Sequence, residues 1–212
     1  MTTTHQHSRR CAGRIAALVS IGALAIGACG FGAPRFADYN LPAEEQRYTM
    51  TLDYNNTHTT WRFLSSRVSE DETPEGFVCS EQIHAAWMGN EIPPPCRAEP
   101  LIFLRYDAGV DLINAVSAAG VHRFDVTAYR QATDGPRIQG LRLWTSVDGG
   151  ETWRPAVVIP SGHGRDGTQD YRCVAVYPPA SKTNGSVSLR AESWDTDGNR
   201  IEQRVDHAFY LR

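Results

Sequence analysis

Alternation of apolar and polar residues is the feature of this 212-residue chain that most limits its fold. Between positions 48 and 54 the even positions are apolar and the odd ones hold threonine or aspartate. A period of two matches a β-strand with one buried face, because successive side chains point to opposite sides. Positions 201–211 alternate as well, and we expect the odd ones to face a core: Ile201, Gln203, Val205, His207, Phe209 and Leu211.

Turn-forming residues separate the predicted strands at short intervals. We expect further strands near residues 59–65, 101–106, 122–129, 140–146, 156–159, 171–176 and 186–194. Between the strands lie Asn55-Asn56, Asp134-Gly135-Pro136, Asp148-Gly149-Gly150, Asn184-Gly185 and Asp197-Gly198-Asn199. Many short strands joined by such turns are typical of an all-β sandwich. We predict one immunoglobulin-like or jelly-roll-like β-sandwich over residues 47–212.

The N-terminus has the composition of an export signal. Three arginines, Arg9, Arg10 and Arg14, precede an apolar segment, residues 15–28, that is too short to span a bilayer. The segment ends in Ile26-Gly27-Ala28-Cys29, which resembles the lipobox of bacterial lipoproteins. The resemblance implies cleavage before Cys29, a diacylglycerol on its thiol and anchoring on the extracytoplasmic face of the cell membrane. The alternative is an ordinary secretory signal cut near Ala28, and the general and twin-arginine export routes both stay open.

These features divide the chain into a signal peptide (residues 1–28), a tether (29–46) and a β domain (47–212) that carries an insert at about 70–100. We expect Cys79 and Cys96 to form a disulfide that staples this insert, because export favours cysteine pairing. Residues 80–88 could form a short helix inside it. Cys173 lies in a strand-like run, and we expect it to be a small buried residue.

The charge balance excludes one class of partner. The chain has 21 basic and 24 acidic residues and a formal net charge of −3, and loss of the signal peptide removes three arginines. Proteins that capture nucleic acid electrostatically present a basic face. We therefore expect no nucleic-acid partner.

The turn at residues 146–153 matches the Asp-box pattern S-x-D-x-G-x-T-W. Its motif residues are Ser146, Asp148, Gly150, Thr152 and Trp153. In this pattern the carboxylate binds backbone N–H groups, glycine takes the positive-φ corner and the tryptophan packs beneath the turn. Sialidases carry several Asp boxes on propeller blades, but a single box cannot build a propeller. We interpret the motif as structural.

A second turn holds Asp195, Asp197 and Asn199 at a spacing similar to the start of a calcium loop. A full EF-hand loop needs a glutamate at its twelfth position, where this chain has Asp206 inside a predicted strand. Asp and Asn at a hairpin corner usually bond their own backbone. We expect a structural turn without calcium, and no spacing of histidines and cysteines indicates another metal.

Most of residues 47–212 resembles the C-terminal β-sandwich appended to secreted subtilisin-like proteases of GC-rich Gram-positive bacteria. The resemblance rests on Leu141-Arg142-Leu143-Trp144-Thr145-Ser146 before the Asp box, on Val187-Ser188-Leu189-Arg190-Ala191, on Trp194-Asp195-Thr196-Asp197-Gly198-Asn199-Arg200, and upstream on Thr59-Thr60-Trp61-Arg62-Phe63. The protease domain is absent, and the insert departs from the pattern. The resemblance implies the sandwich fold and no proteolysis.

The sequence contains no catalytic signature, and we predict no catalytic residue. Cys173 with His163 or His207 could in principle form a nucleophile and base. Because the strand context of Cys173 indicates burial, and buried thiols are usually inert, we do not favour that pair.

Two functions stay open. The preferred one is a non-catalytic binding or interaction module at the bacterial envelope, with a protein or a glycan as partner and no cofactor beyond the acyl lipid. Loops carry recognition on rigid scaffolds, so we expect contacts from the insert, namely Trp87, Met88, Pro93, Pro94 and Pro95. Trp87 could instead cover an edge of the sandwich. The alternative function is an envelope-tethered hydrolase of peptide or carbohydrate.

Overall fold

Strands make up nearly all of the regular structure. The computed structural model describes residues 41–69, 97–118, 120–131, 135–164 and 167–212. The strands are β1 Gln46–Tyr54, β2 Thr57–Ser65, β3 Phe103–Asp107, β4 Ala115–Val116, β5 Val121–Tyr129, β6 Ile138–Ser146, β7 Arg154–Pro155, β8 Val157–His163, β9 Gln169–Val176, β10 Ser186–Asp195 and β11 Arg200–Leu211. One short 3₁₀ turn, Ala180–Lys182, precedes β10, and the described ranges contain no α-helix. The predicted all-β fold is confirmed.

The strands form two sheets. Sheet A has the order β1-β2-β11-β10-β6-β7, and β4 pairs with the C-terminal part of β11. Sheet B has the order β3-β5-β9-β8. Neighbouring strands are antiparallel except for the parallel pair of β4 and β11.

The core lies between the inner faces of the two sheets. On β5, Phe124, Val126 and Ala128 are buried, whereas the intervening Arg123 and Asp125 are exposed. Sheet A contributes buried side chains from the opposite side, among them Trp61, Phe63, Leu143, Leu189, Ile201 and Phe209. Each fully buried large apolar side chain stabilises the fold by about 1.5–3 kcal/mol, so the alternation seen in the sequence drives the two sheets together.

A bulge in β11 overturns one predicted core residue. Three residues of β11, 206–208, face the single residue Ser188 of β10, and this interrupts the alternation, which resumes in the same phase at the buried Phe209. His207 is exposed and has a φ of 49°. Its backbone N–H donates to Ser188 Oγ at 3.1 Å, and its Nδ1 lies 2.7 Å from Ser186 Oγ. The prediction that His207 faces the core is wrong, because the extra residues turn it outward.

The first strand is buried only at its start. Tyr48 is buried, but Leu52 and Tyr54, which the same alternation placed on the inner face, are 38% and 68% exposed. β1 is an edge strand of sheet A, and its second half, residues 51–54, contributes no buried side chain. The domain also includes Leu41, from the stretch expected to be tether, since this side chain is buried and its carbonyl accepts a hydrogen bond from Arg67 Nε at 3.0 Å.

Candidate functional site

Aromatic and basic side chains alternate on the outer face of sheet A. On β6 the buried residues Leu141, Leu143 and Thr145 alternate with Arg142 and Trp144, which point away from the core. On β10 the residues Arg190, Glu192 and Trp194 point outward in the same way, between the buried Leu189, Ala191, Ser193 and Asp195. Because strand geometry sends alternate side chains to opposite faces, the pattern that builds the core also builds this outer surface.

The strand register brings these side chains into rows across the sheet. In the first row Arg190 of β10 pairs with Trp144 of β6 on one side and with Arg204 of β11 on the other. The Arg190 guanidinium lies 4.6 Å from the centre of the Trp144 ring. Cation–π contacts of this kind stabilise exposed pairs by about 0.5–1 kcal/mol.

The second row lies two positions beyond the first and contains Arg142 of β6, Glu192 of β10 and Glu202 of β11. A third row crosses the sheet two positions beyond the second. It contains Trp194 of β10, Arg200 of β11 and Arg62 of β2. The Trp194 ring covers Gly140, where an added Cβ would lie 2.3 Å from Trp194 Cζ2. The Arg142 guanidinium lies 5.2 Å from the centre of the same ring. Gly140 therefore lets the indole lie close against the sheet.

The turn at residues 146–153 adds a third tryptophan to this surface. Asp148 Oδ1 accepts hydrogen bonds from Ser146 Oγ at 2.6 Å and from the backbone N–H of Thr152 at 3.0 Å, and Thr152 Oγ1 donates to Asp148 Oδ2 at 2.5 Å. These donors, the Ser146 hydroxyl first, hold the pKa of the Asp148 carboxyl well below its usual value. The Gly150 N–H donates to Ser146 Oγ at 2.9 Å, and Gly150 has a φ of 92°. The turn thus holds the position of the following Trp153.

Trp153 lies against both arginines of the first row. Its ring centre is 6.0 Å from the Arg190 guanidinium and 5.7 Å from the Arg204 guanidinium. A Cβ at Gly150 would approach Arg204 Nη2 to 2.8 Å, so glycine also makes room for this contact. We call the surface formed by Trp144, Trp153, Trp194, Arg142, Arg190 and Arg204 the Trp–Arg face.

Most arginines on and around the Trp–Arg face have carboxylate partners. Arg142 lies 3.7 Å and Arg200 3.3 Å from Glu192, and Arg204 lies 2.6 Å from Asp206. Arg190 is exposed and has no carboxylate partner within the described ranges. The side chain between two indoles therefore keeps its donors free for an anion.

The second turn, at residues 195–199, connects β10 to β11 and also bonds to β2. Asp195 is 2% exposed, and its Oδ1 accepts the backbone N–H groups of Asp197 and Asn199, each at 2.9 Å. Its Oδ2 accepts from Asn199 Nδ2 at 2.9 Å and from Arg130 Nη2 at 2.6 Å. Asn199 Oδ1 in turn accepts the backbone N–H of Leu64 at 2.9 Å. Protein donors fill both oxygens of Asp195, and a guanidinium balances its charge.

Cys173 does not contact His163 or His207, the two histidines considered as its catalytic base. It is fully buried on the inner face of sheet B, and burial raises the pKa of its thiol to about 12, with a further contribution from the Asp125 charge. His163 pairs with Gln169 at the far end of β8, and His207 lies in the β11 bulge of the other sheet. A protonated, enclosed thiol is a poor nucleophile.

Several residues singled out from the sequence lie outside the described ranges. They are the lipidation residue Cys29, the expected disulfide pair Cys79 and Cys96, and the expected contact residues Trp87, Met88, Pro93, Pro94 and Pro95. Those expectations stay predictions.

Arg190, Trp144 and Trp194 lie on strands that the sequence predicts, but no motif in the sequence marks them as site residues. Within the part of the chain that the structure describes, no helix is long and apolar enough to cross a membrane. The same part contains no group of three or more His, Cys, Asp or Glu side chains suited to a metal ion. The chain matches no protein-family model and no curated protein sequence.

Proposed function

We propose that the chain is a non-catalytic binding module, held at the bacterial envelope by a lipid on Cys29, whose Trp–Arg face binds an anionic polymer such as an acidic glycan. The observation that carries this proposal is the first row, where Arg190 and Arg204 are directly opposite each other on adjacent strands. Like charges in that position repel each other. Asp206 balances the charge of Arg204 at 2.6 Å, and an anion bound at Arg190, which has no carboxylate partner in the described ranges, would supply the missing negative charge.

The surroundings of Arg190 suit recognition of a carboxylate, sulfate or phosphate. The guanidinium offers several donors in one plane, which match such groups in a bidentate manner. The indoles of Trp144 and Trp153 hold it in place, so less conformational entropy is lost when an anion binds. Aromatic rings beside donors also suit sugar rings, which have apolar faces.

The length of the face favours an extended ligand over a single small anion. Arg190 in the first row and Trp194 in the third are four residues apart on one strand, which corresponds to roughly 13 Å. The row between them is mixed in charge, with Arg142 beside Glu192 and Glu202. A polymer of acidic sugars matches this arrangement, because its rings can contact Trp194 while one of its carboxylates binds Arg190.

The insert is a further part of the proposed contact surface. Ser65, at the end of β2, precedes it, and Arg62 of the third row lies three positions before Ser65. Trp87, Met88 and the prolines at 93–95 are therefore candidates to extend the surface beyond that row. We also propose the Cys79–Cys96 disulfide for this segment.

At the level of the whole domain, we propose an immunoglobulin-like or jelly-roll-like sandwich of the kind appended to secreted subtilisin-like proteases. The two antiparallel sheets and the Asp-box turn are what support this. In such an arrangement the lipid on Cys29 would replace a protease domain as the element that holds the module in place.

The proposal is tested by retention of polysaccharides on the immobilised full-length chain. We expect the wild type to retain polygalacturonate, a carboxylate polymer, and to pass neutral dextran, with retention falling as salt rises. The Arg190→Ala variant should lose most of this retention. Arg123→Ala is the matched control, because Arg123 is an exposed arginine on the outer face of the other sheet. Equal retention by Arg190→Ala and wild type, or equal retention of dextran, would contradict the proposal.

A further inference from the structure

The two ends of the sandwich differ in the polarity of their surfaces. The proximal end is the one at which Leu41 enters and β1 begins, since Gln46 pairs with Ser65 there. Following β11 away from it, Arg200 pairs with Arg62, Val205 with Thr57, and Tyr210 with Ala115. The opposite, distal end therefore carries the β1–β2 turn, the loop between β3 and β4, and the start of β5.

Exposed apolar side chains gather toward the distal end. Those in the distal half are Leu52, Tyr54, Val110, Leu112, Ile113, Val121, Val157, Val176 and Tyr210. The other exposed large apolar residue of the described ranges, Ile159, lies in the middle of β8. Exposed apolar side chains concentrated at one end of a domain indicate an interaction site.

The β3–β4 loop projects two of these side chains as a knob. Leu112 is 106% exposed and Ile113 is 69% exposed. Asp111 Oδ1 accepts the backbone N–H groups of Ile113 at 3.0 Å and Ala115 at 2.9 Å, and the Asn114 side chain donates to the Ala208 carbonyl at 3.1 Å. These hydrogen bonds therefore stabilise the loop conformation in which the knob is exposed.

A cavity of about 410 Å³ opens beside the knob, between the two sheets. Its apolar wall includes Leu189, Val205 and Phe209, and its rim includes Ala108 and Val110 of the same loop that carries the knob. The hydrogen bonds of Asp111 and Asn114 hold the knob outside this cavity. Each molecule thus presents a knob and an open cavity side by side.

We propose that the distal end is the interface of a symmetric dimer, in which the Leu112–Ile113 knob of each copy fills the cavity of the other. In a dimer with two-fold symmetry, the same surface of each copy contacts the other copy. A surface that carries both a knob and a cavity can therefore form two equivalent knob-in-cavity contacts at once. The negative charge of Asp111, next to the knob, does not oppose dimer formation, because Arg212 lies 2.9 Å from Asp111 and balances its charge. The inference goes beyond the proposed binding function and does not depend on the Trp–Arg face.

A dimer of this kind would change how the module binds. Two Trp–Arg faces in one particle give avidity for a polymer that both can reach. The other occupants of the distal end, a lipid surface or a different protein, would leave the purified chain monomeric.

The test is the protein mass per particle of the full-length chain in detergent, measured by light scattering. We expect the wild type to have twice the monomer mass, and the knob variant Leu112→Ser/Ile113→Ser to have the monomer mass. Because both side chains are exposed, the knob variant should fold normally, and circular dichroism checks this. Ile159→Ser is the matched control, since Ile159 is 51% exposed in the middle of β8, at the opposite edge of sheet B from β3, and should leave the dimer intact.

A second variant tests the cavity itself. Ala108→Phe should fill the cavity from its rim and also give monomers. Mixed with the knob variant it should form heterodimers, because the intact knob of the Ala108→Phe chain meets the intact cavity of the knob variant. A monomeric wild type, or a dimer that the knob variant leaves unchanged, would overturn the proposal.

Discussion

At the scale of single residues, the outer surface of sheet A depends on a glycine. The close approach of Trp194 to Gly140 leaves no space for a Cβ, so Gly140→Ala must displace the ring or the strand. Overpacking of this kind costs about 1–3 kcal/mol. We expect the midpoint of urea unfolding to fall in Gly140→Ala. Gly120→Ala is the control, since a Cβ at Gly120 meets nothing within 4 Å, and an equal loss of stability there would contradict the account.

His122 predicts how stability depends on pH. Its Nε2 donates to the Ala108 carbonyl at 2.8 Å, and the Tyr177 hydroxyl donates to its Nδ1 at 3.3 Å. Burial among aromatic rings lowers the pKa of His122 below 6.5, although the bond to Ala108 opposes this. The unfolded state therefore binds the proton more readily than the folded state, and stability falls as the pH drops below about 6.5.

We expect the His122→Gln variant to show a flatter dependence of unfolding free energy on pH between about 7 and 5. The measurement is urea unfolding at a series of pH values. His163→Gln is the control, because His163 is exposed on β8 and should leave the dependence as it is in the wild type. A dependence that His122→Gln does not change would show that other groups cause it.

At the scale of elements, the β10–β11 turn contains two aspartates that differ in their contacts. Asp195 is buried and paired with Arg130, whose side chain is 5% exposed, whereas Asp197 is exposed. Removing one partner of a buried ion pair costs about 3–5 kcal/mol, because the other charge is left uncompensated. We expect Asp195→Ala to lose about that much unfolding free energy and Asp197→Ala to lose little. Similar losses in both would mean that the turn, and not the ion pair, determines the stability.

The sequence predicts elements better than it predicts their partners. The strands expected near residues 59–65 and 186–194 correspond to β2 and β10, because alternation reports directly on a strand with one buried face. The two-residue strands β4 and β7 are too short to show a period. The outward direction of Arg190 follows from alternation, but its neighbours Trp144 and Arg204 come from β6 and β11, and alternation does not give the register between strands.

At the scale of the whole molecule, the predicted lipid anchor and the described β domain lie in different parts of the chain. The sequence predicts an anchor at Cys29, and in the structure Leu41 already packs in the core of the sandwich. An extended chain from Cys29 to Leu41 reaches about 40 Å, enough to keep the domain near the membrane surface. The contribution of residues 70–96 to binding cannot be derived from strand periodicity, because their sequence has none.

The anchor is tested by metabolic labelling with a lipid precursor. We expect the wild-type chain to carry the label and to fractionate with membranes, because the lipobox cysteine is the acceptor. The Cys29→Ala variant should lose the label, and Cys173→Ala, which changes a buried cysteine, should keep it. A labelled Cys29→Ala chain would contradict the assignment.

The central claim, that the Trp–Arg face binds anionic polymer through an arginine held by indoles, is tested most directly by a calorimetric double-mutant cycle. The titration uses polygalacturonate with the wild type, Arg190→Ala, Trp144→Leu and the double variant. We predict that Arg190→Ala weakens binding about tenfold or more, as expected for loss of a charge-assisted hydrogen bond, and that the double variant is little weaker than Arg190→Ala alone. Unchanged affinity in Arg190→Ala, or fully additive losses, would contradict the claim.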